Sequence, residues 1–340
     1  MTVTRAWVTA LPKAELHVHL DGCLRPATML ELAAAAGVRM PAVTPDALQD
    51  FMLVRDARSL EEYLRRFDTT LALMQTRPAL ERVAREFVED LATEGIRHVE
   101  VRFCPALHPG TGPEGALEAV LAGLRSGAGA TGPHAVVIVC GLRTLAPSVA
   151  VGLAELAVRW RDAGVVAFDL AGSEAGHPAR DHREAFRVAR EGGLRITCHA
   201  GEGAGPESIR DALDICGAER LGHGVRLRED PALLDRVRAA GVPLEMCPTS
   251  NVHTRTVASL ATHPLREYLA AGIPVTINTD SRLMDRTTLV DEYLAVHAHL
   301  GLDRGALTRV ARNAFAHAFL PPAERDALLA AFDATVKELG

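Results

Sequence analysis

The chain of 340 residues predicts an α/β fold of the (β/α)8 TIM-barrel class, with extra helices after the first strand and a helical C-terminal tail. Three observations predict it. Short runs rich in Val and Ile alternate with longer amphipathic stretches rich in Ala, Leu and Arg, which is the pattern of strand-then-helix units around a parallel sheet. Eight such strand-like runs can be counted. Several of them end in a His or an Asp, at the strand tips where a barrel of this class gathers its active site.

The first run, 14–19, alternates along Glu15-Leu16-His17-Val18-His19 and meets the turn signal Asp21-Gly22. Further strands are expected at 98–104, 135–140, 165–170, 195–199, 220–223, 242–247 and 274–279, with helices at 26–36, 114–124, 148–161, 180–190, 206–215 and 231–239. Residues 43–94 interrupt the repeat with roughly two more helices, 60–74 and 78–91. An excursion there, at a barrel mouth, reads as a lid or as helical padding. From residue 289 onward the tail is helical, closing with 307–319 and 323–339. No internal repeat, low-complexity run or linker divides the sequence, so 1–340 reads as one domain.

Composition narrows the function. Apolar residues at 48% and charged residues at 24% are those of a globular protein with a sizeable core, and a net charge of -6 gives no electrostatic reason to bind nucleic acid or an anionic membrane. A small, roughly neutral partner fits better. The first fourteen residues lack a basic stretch followed by an apolar one, and no run is long enough to span a bilayer, so a cytoplasmic location is expected. Oligomeric state leaves no signature in the sequence. Cys23, Cys104, Cys140, Cys198, Cys216 and Cys247 are scattered without a Cys-X-X-Cys pair and read as buried free thiols. That spacing excludes the zinc deaminases built on His-X-Glu and Pro-Cys-X-X-Cys, so a metal here is expected to be held by His and carboxylate.

Strand alternation puts His17 and His19 on one face, which is half of a metal site. Alone, such a pair is more often two solvent-facing imidazoles. The fifth run ends in His199-Ala200-Gly201-Glu202, where a shielded carboxyl would have its neutral form favoured and could give up a proton. The sixth supplies His223 between Gly222 and Gly224, and a plain turn histidine is an equal reading. The eighth ends in Asp280, which taken alone would read as a helix cap or turn residue. Together His17, His19, His199 and Asp280 make three nitrogens and one oxygen, with Glu202 and His223 beside them. That donor set points to Zn²⁺ first, with Fe²⁺, Mn²⁺ and Co²⁺ as alternatives, and one open position for a water. Metal lowers the pKa of such a water from ~15.7 toward roughly 7, making a nucleophile available at neutral pH.

The motifs His17-Val18-His19-Leu20-Asp21-Gly22, His199-Ala200-Gly201-Glu202, Leu221-Gly222-His223-Gly224, Cys247-Pro248-Thr249-Ser250-Asn251 and Asn278-Thr279-Asp280 follow one another as they do in the adenosine deaminase family of the amidohydrolase superfamily. The chain resembles that family over about residues 11–320, and Asp169 to Pro178 with Ser281 to Met284 look like its actinobacterial branch. The resemblance implies one metal held by His17, His19, His199 and Asp280, and a purine nucleoside as substrate. It implies Glu202 as proton donor to purine N1, His223 as the group that orients the attacking oxygen, and Asp280 as the carrier of its proton to the leaving ammonia. Gly172 would donate its N–H to purine N3, Asp21 would meet the ribose 5′-hydroxyl, and His19 would lie against the substrate. Ser281 stands where many relatives carry a second carboxylate that meets purine N7, and a hydroxyl can still donate there. The expected reaction is hydrolysis of adenosine to inosine and ammonia. Deamination of adenine or of a 5′-modified adenosine such as aminodeoxyfutalosine, and a barrel that binds metal without catalysis, are the competing readings.

Overall fold

In the computed structural model, which describes residues 2–55, 57–130 and 132–339, the apolar runs become eight parallel strands in sequential order. They are β1 (Lys13–His19), β2 (Ile96–Phe103), β3 (His134–Leu142), β4 (Val165–Ala171), β5 (Arg195–Ala200), β6 (Arg220–His223), β7 (Leu244–Met246) and β8 (Val275–Ile277). The circle closes where Val18 of β1 bridges Asp280, just beyond β8. There the His19 N–H donates to the Asp280 carbonyl at 2.7 Å and the Asp280 N–H to the His17 carbonyl at 3.0 Å. Closure removes the sheet edges, and it also threads Asp280 between two histidines.

The helices differ from expectation in places. The helix expected at 26–36 is present as Pro26–Ala36. An unexpected helix α1 (Arg5–Ala10) precedes β1, its C-terminal carbonyls capped by the buried Lys13 ammonium, which donates to Val8 and Leu11. With Pro26–Ala36 as α2, the excursion holds four helices rather than two: α3 (Pro45–Met52), α4 (Leu60–Leu64), α5 (Phe67–Leu71) and α6 (Arg77–Ala92). The single helix expected at 60–74 is thus broken in two, and Tyr63 and Phe67, four residues apart across the break, both face the barrel mouth. The helix expected at 206–215 runs as Pro206–Asp211 and then widens into a π-turn, Ala212–Cys216. Strands β7 and β8 are both shorter than expected, β7 because Cys247 leads directly into an unforeseen helix, Pro248–His253. The tail holds Leu289–Leu300, Arg304–Ala316 and Pro322–Leu339. Among the described residues no helix is long and apolar enough to cross a membrane.

The barrel interior is not purely apolar. Arg102 of β2 reaches Glu245 of β7 at 2.8 Å and Asp169 of β4 at 2.7 Å, and residues of non-adjacent strands can meet only across the lumen. Arg220 of β6 pairs with Glu100 at 2.6 Å and with the other oxygen of Glu245 at 2.7 Å. All five side chains are at most 1% exposed. Buried charges of this kind are weak evidence for stability, yet removing one partner costs about 3–5 kcal/mol because the other is left uncompensated.

Burial raises the Glu100 carboxyl, but the Arg220 guanidinium and His98 outweigh it and hold it at about 2. A carboxyl held down in the folded state stabilises it above the unfolded pKa of about 4.3, and that contribution disappears as pH falls through 2. Replacing Glu100→Gln should therefore destabilise the protein strongly at pH 7 in urea unfolding, with a deficit that shrinks from about pH 4 downward. A deficit independent of pH would contradict the charge-pairing account.

Candidate metal centre and active site

At the C-terminal ends of the strands the four imidazoles of His17, His19, His199 and His223 meet. Ring centroids lie 4.5 Å apart for His17 and His199, 4.6 Å for His17 and His223, and 5.2 Å for His19 and His199. One nitrogen from each of His17, His19 and His199 falls within 4.8 Å of the others. Asp280 completes the set, its Oδ1 lying 3.6 Å from His17 Nε2 and 3.4 Å from His19 Nε2. Every metal ligand expected from the strand tips is thus brought together.

Two of the imidazoles are aimed by a carboxylate behind them. His17 Nδ1 bonds Glu245 Oε2 at 2.9 Å, and His199 Nδ1 bonds Asp169 Oδ2 at 3.0 Å. Binding Nδ1 to a carboxylate fixes the tautomer and turns Nε2 toward the centre. Gly222 makes the close packing feasible, because a Cβ there would stand 3.0 Å from His199 Cα and 3.1 Å from His17 Cε1. Neither Asp169, Glu245 nor Arg102 was picked out from the sequence. Charged residues inside otherwise apolar strands were the available signal.

The donor set fits a cation. His17 Nε2 is buried without a hydrogen-bond partner, a cost that a ligand would remove. Burial holds the His19 and His199 rings below the usual histidine range, so both offer neutral nitrogens. Burial and Arg102 lower His17 too, but the nearby Asp280 carboxylate and the hydrogen bond to Glu245 outweigh them and raise it above the usual histidine range. Asp280, despite its burial, is held well below the carboxylate range by His17 and the neighbouring rings. The cluster thus demands positive charge at its centre. Geometry also brings Cys247 into reach, grouped with His17, His223 and Asp280 within 4.8 Å, although spacing had set the cysteines aside. Burial and the Asp280 charge push its thiol well above the usual range, which leaves it the poorest donor of the cluster.

Glu202 and His223 flank the centre. Glu202 Oε2 lies 3.5 Å from His223 Nε2, which is 3.9 Å from Asp280 Oδ2. The Asn251 amide donates to His223 Nδ1 at 3.1 Å while its oxygen takes the His263 ring N–H at 3.1 Å, so His223 carries its proton on Nε2, toward the site. The Ser250 hydroxyl donates to Asp280 Oδ2 at 2.6 Å. Burial pushes the Glu202 carboxyl well above the usual range, helped by the charges of Asp280 and Glu174, and its Oε1 is buried and unpartnered. Asp21 is raised by burial to about 7, and its Oδ1 is likewise unpartnered. His223 and Asp280 both adopt positive φ, 61° in each case, a conformation that costs non-glycine residues of order 1–3 kcal/mol and gathers at functional sites.

A cavity of about 410 Å³ opens onto this cluster. Its walls include Asp21, Gly172 and Ser281, so every residue expected to touch substrate lines one space with Glu202 and His223. Leu60, Tyr63, Leu64, Phe67 and Leu71 of α4 and α5 form an apolar roof. Two hydrogen bonds tether it, Tyr63 to Asp285 at 2.9 Å and Ser173 to Glu61 at 2.8 Å.

Comparison with known proteins gives one consistent result. A family described as adenosine deaminase matches residues 12–335. The chain is 45% identical to the adenosine deaminase of Mycobacteroides abscessus, covering 95% of this chain and 94% of that protein, and 43% identical to that of Mycobacterium leprae over 94% and 93%. Among solved structures it resembles an adenine deaminase from Arthrobacter aurescens, with a TM-score of 0.89 at 29% identity over 96% of this chain and 99% of the other. It also resembles the Arabidopsis N6-mAMP deaminase, with a TM-score of 0.86 at 29% identity over 97% and 99%, and a zinc-bound amidohydrolase from Burkholderia ambifaria, with a TM-score of 0.88 at 27% identity over 100% and 96%.

Because Glu245 aims His17 at the centre, Glu245→Gln should weaken metal affinity about 10- to 100-fold in a chelator competition assay. Unchanged affinity would detach Glu245 from the metal centre.

Proposed function

The chain belongs to the adenosine deaminase family, a family of metal-dependent hydrolytic deaminases, and from that premise we propose that it hydrolyses the 6-amino group of adenosine to give inosine and ammonia. The observation that carries the reading is the convergence of Glu202, His223 and Asp280 on one cavity beside three inward-turned imidazoles. His17, His19, His199 and Asp280 would hold one divalent ion, Zn²⁺ by preference. When bound, it supplies the electrophilic charge that makes water nucleophilic at neutral pH.

The remaining work falls to side chains. Glu202, kept protonated by burial, gives a proton to purine N1 and so makes C6 open to attack. His223 directs its Nε2–H at the attacking oxygen and holds it over C6. Asp280 Oδ2 takes a proton from the attacking water and delivers it to the 6-amino nitrogen, which leaves as ammonia. As the C6 carbonyl forms, the second water proton returns to Glu202, and N1 keeps the first. The Gly172 N–H would meet purine N3 and Ser281 would meet N7. His19, the ligand whose side chain is 15% exposed, would form part of the floor beneath the substrate.

Asp21 supports a nucleoside over a nucleotide. Its buried, unpartnered oxygen would accept a 5′-hydroxyl and repel a 5′-phosphate. The whole chain acts as one catalytic domain, and residues 43–94 serve as its lid, closing the cavity with the α4 and α5 roof. Six free, buried thiols suit the reducing cytoplasm.

Two measurements test this reading. Turnover of adenosine should exceed that of adenine, AMP and a 5′-substituted adenosine in kcat/KM, and a preference for any of these others would reassign the substrate. Glu202→Gln should retain metal and bind adenosine while kcat falls by about 10²- to 10⁴-fold, and a near-normal kcat would remove Glu202 from its role.

A further inference from the structure

The turn that carries Glu202 presents four consecutive main-chain N–H groups to a single side chain. The Gly201 N–H donates to Oε1 of Glu174 at 2.7 Å, and those of Glu202, Gly203 and Ala204 donate to Oε2 at 2.9, 2.6 and 3.0 Å. Glu174 is 3% exposed and sits just beyond β4, with its carboxylate turned into this turn while the adjacent Ser173 lines the cavity.

The approach is close by construction. A Cβ on Gly203 would stand 3.3 Å from Glu174 Cβ and 3.2 Å from Leu60 of the roof, tighter than most such contacts. The segment that carries Glu174 is itself anchored. Its carbonyl accepts the His177 N–H at 3.2 Å, and Arg143 donates to the His177 carbonyl at 2.7 Å and to the His199 carbonyl at 2.6 Å. One guanidinium therefore ties the Glu174 segment to the end of β5, where the Glu202 turn begins. Buried N–H donors need acceptors, and four of them converge here on two oxygens. Losing those oxygens would free the turn to seek other partners by rotating its peptide planes.

We propose that Glu174 is a positioning residue for the deamination: its carboxylate fixes the main chain of residues 201–204 and thereby holds the Glu202 carboxyl against the ring nitrogen it protonates. The proposal rests on the reading of Glu202 as the proton donor. It assigns Glu174 no contact with substrate or metal. A displacement of about 1 Å at a reacting group is enough to cost about 100-fold in rate.

Glu174→Gln tests it, since the amide keeps the size of the side chain but turns an N–H donor toward N–H donors. In the metal-loaded enzyme kcat for adenosine should fall about 100-fold while KM stays within about threefold and metal content is unchanged. In a Glu202→Gln background the same substitution should cause no further loss, because the group being positioned is already gone. A wild-type kcat for Glu174→Gln, or the same fold-loss in both backgrounds, would overturn the proposal. Should circular dichroism show the Gln variant unfolded, Glu174→Asp replaces it: the charge is kept but withdrawn by one methylene. A fall in its kcat at constant KM would support the proposal, and a wild-type kcat would overturn it. A Glu202→Gln enzyme at wild-type kcat would instead remove the proton donor, and this proposal with it.

Discussion

The active face of this barrel depends on one buried guanidinium. Arg102 has no exposed surface, yet it bridges Glu245 and Asp169 and also donates to the Leu16 carbonyl at 2.5 Å, one residue before the first ligand. The two carboxylates it joins are those that grip His17 and His199 by Nδ1. Remove the positive charge and Asp169 would lose its guanidinium while Glu245 kept only Arg220, leaving both carboxylates free to draw their imidazoles out of line. The energetic return on such a network is order rather than stability. It fixes the His17 and His199 rings before any ion arrives, so metal binding need not supply that order.

Barrel closure adds the fourth member of the proposed ligand set. In a barrel the sheet curls until the last strand meets the first, and here the seam runs through the backbone of His17, His19 and Asp280. The fold therefore cannot close without bringing that carboxylate beside the imidazoles. Its left-handed backbone, matched by that of His223, is the local strain that this placement demands. The surrounding hydrogen bonds hold both residues in place, Ser250 on Asp280 and Asn251 on His223. The two partners come from consecutive residues of the short helix Pro248–His253. One turn of helix thus sets the direction of both the Asp280 carboxylate and the His223 ring, the proposed proton acceptor and the proposed guide of the attacking oxygen.

Much of this was legible in the sequence because strand tips are where local pattern and global topology coincide. His19, His199, His223 and Asp280 each stand at the end of an apolar run, with His17 two residues before the first, and parallel topology sends all such ends to one face. Asp169 and Glu245 were harder to read. A carboxylate within an apolar strand carries no local sign of the guanidinium it will meet from a strand far along the chain. Asn251 stood in a recognised motif, but its action on His223 depends on a contact 28 residues away. The split between α4 and α5 was hidden as well, since the periodicity of 60–74 is continuous and carries no glycine or proline to mark a break. Glu174 was visible as a letter in a motif. Its four donors belong to a turn that sequence spacing could not place against it.

The central proposal is that the His17, His19 and His199 imidazoles and the Asp280 carboxylate, with the His17 and His199 rings pre-aimed by the network around Arg102, hold a single divalent ion without help from sulfur. X-ray absorption spectroscopy of the zinc-loaded protein measures this most directly. The account predicts about one zinc per chain in a shell of nitrogen and oxygen at about 2.0–2.2 Å, with the outer scattering of about three imidazoles. A sulfur at about 2.3 Å would bring Cys247 into the shell, and scattering from fewer than about two imidazoles would break the ligand set; either result would contradict it.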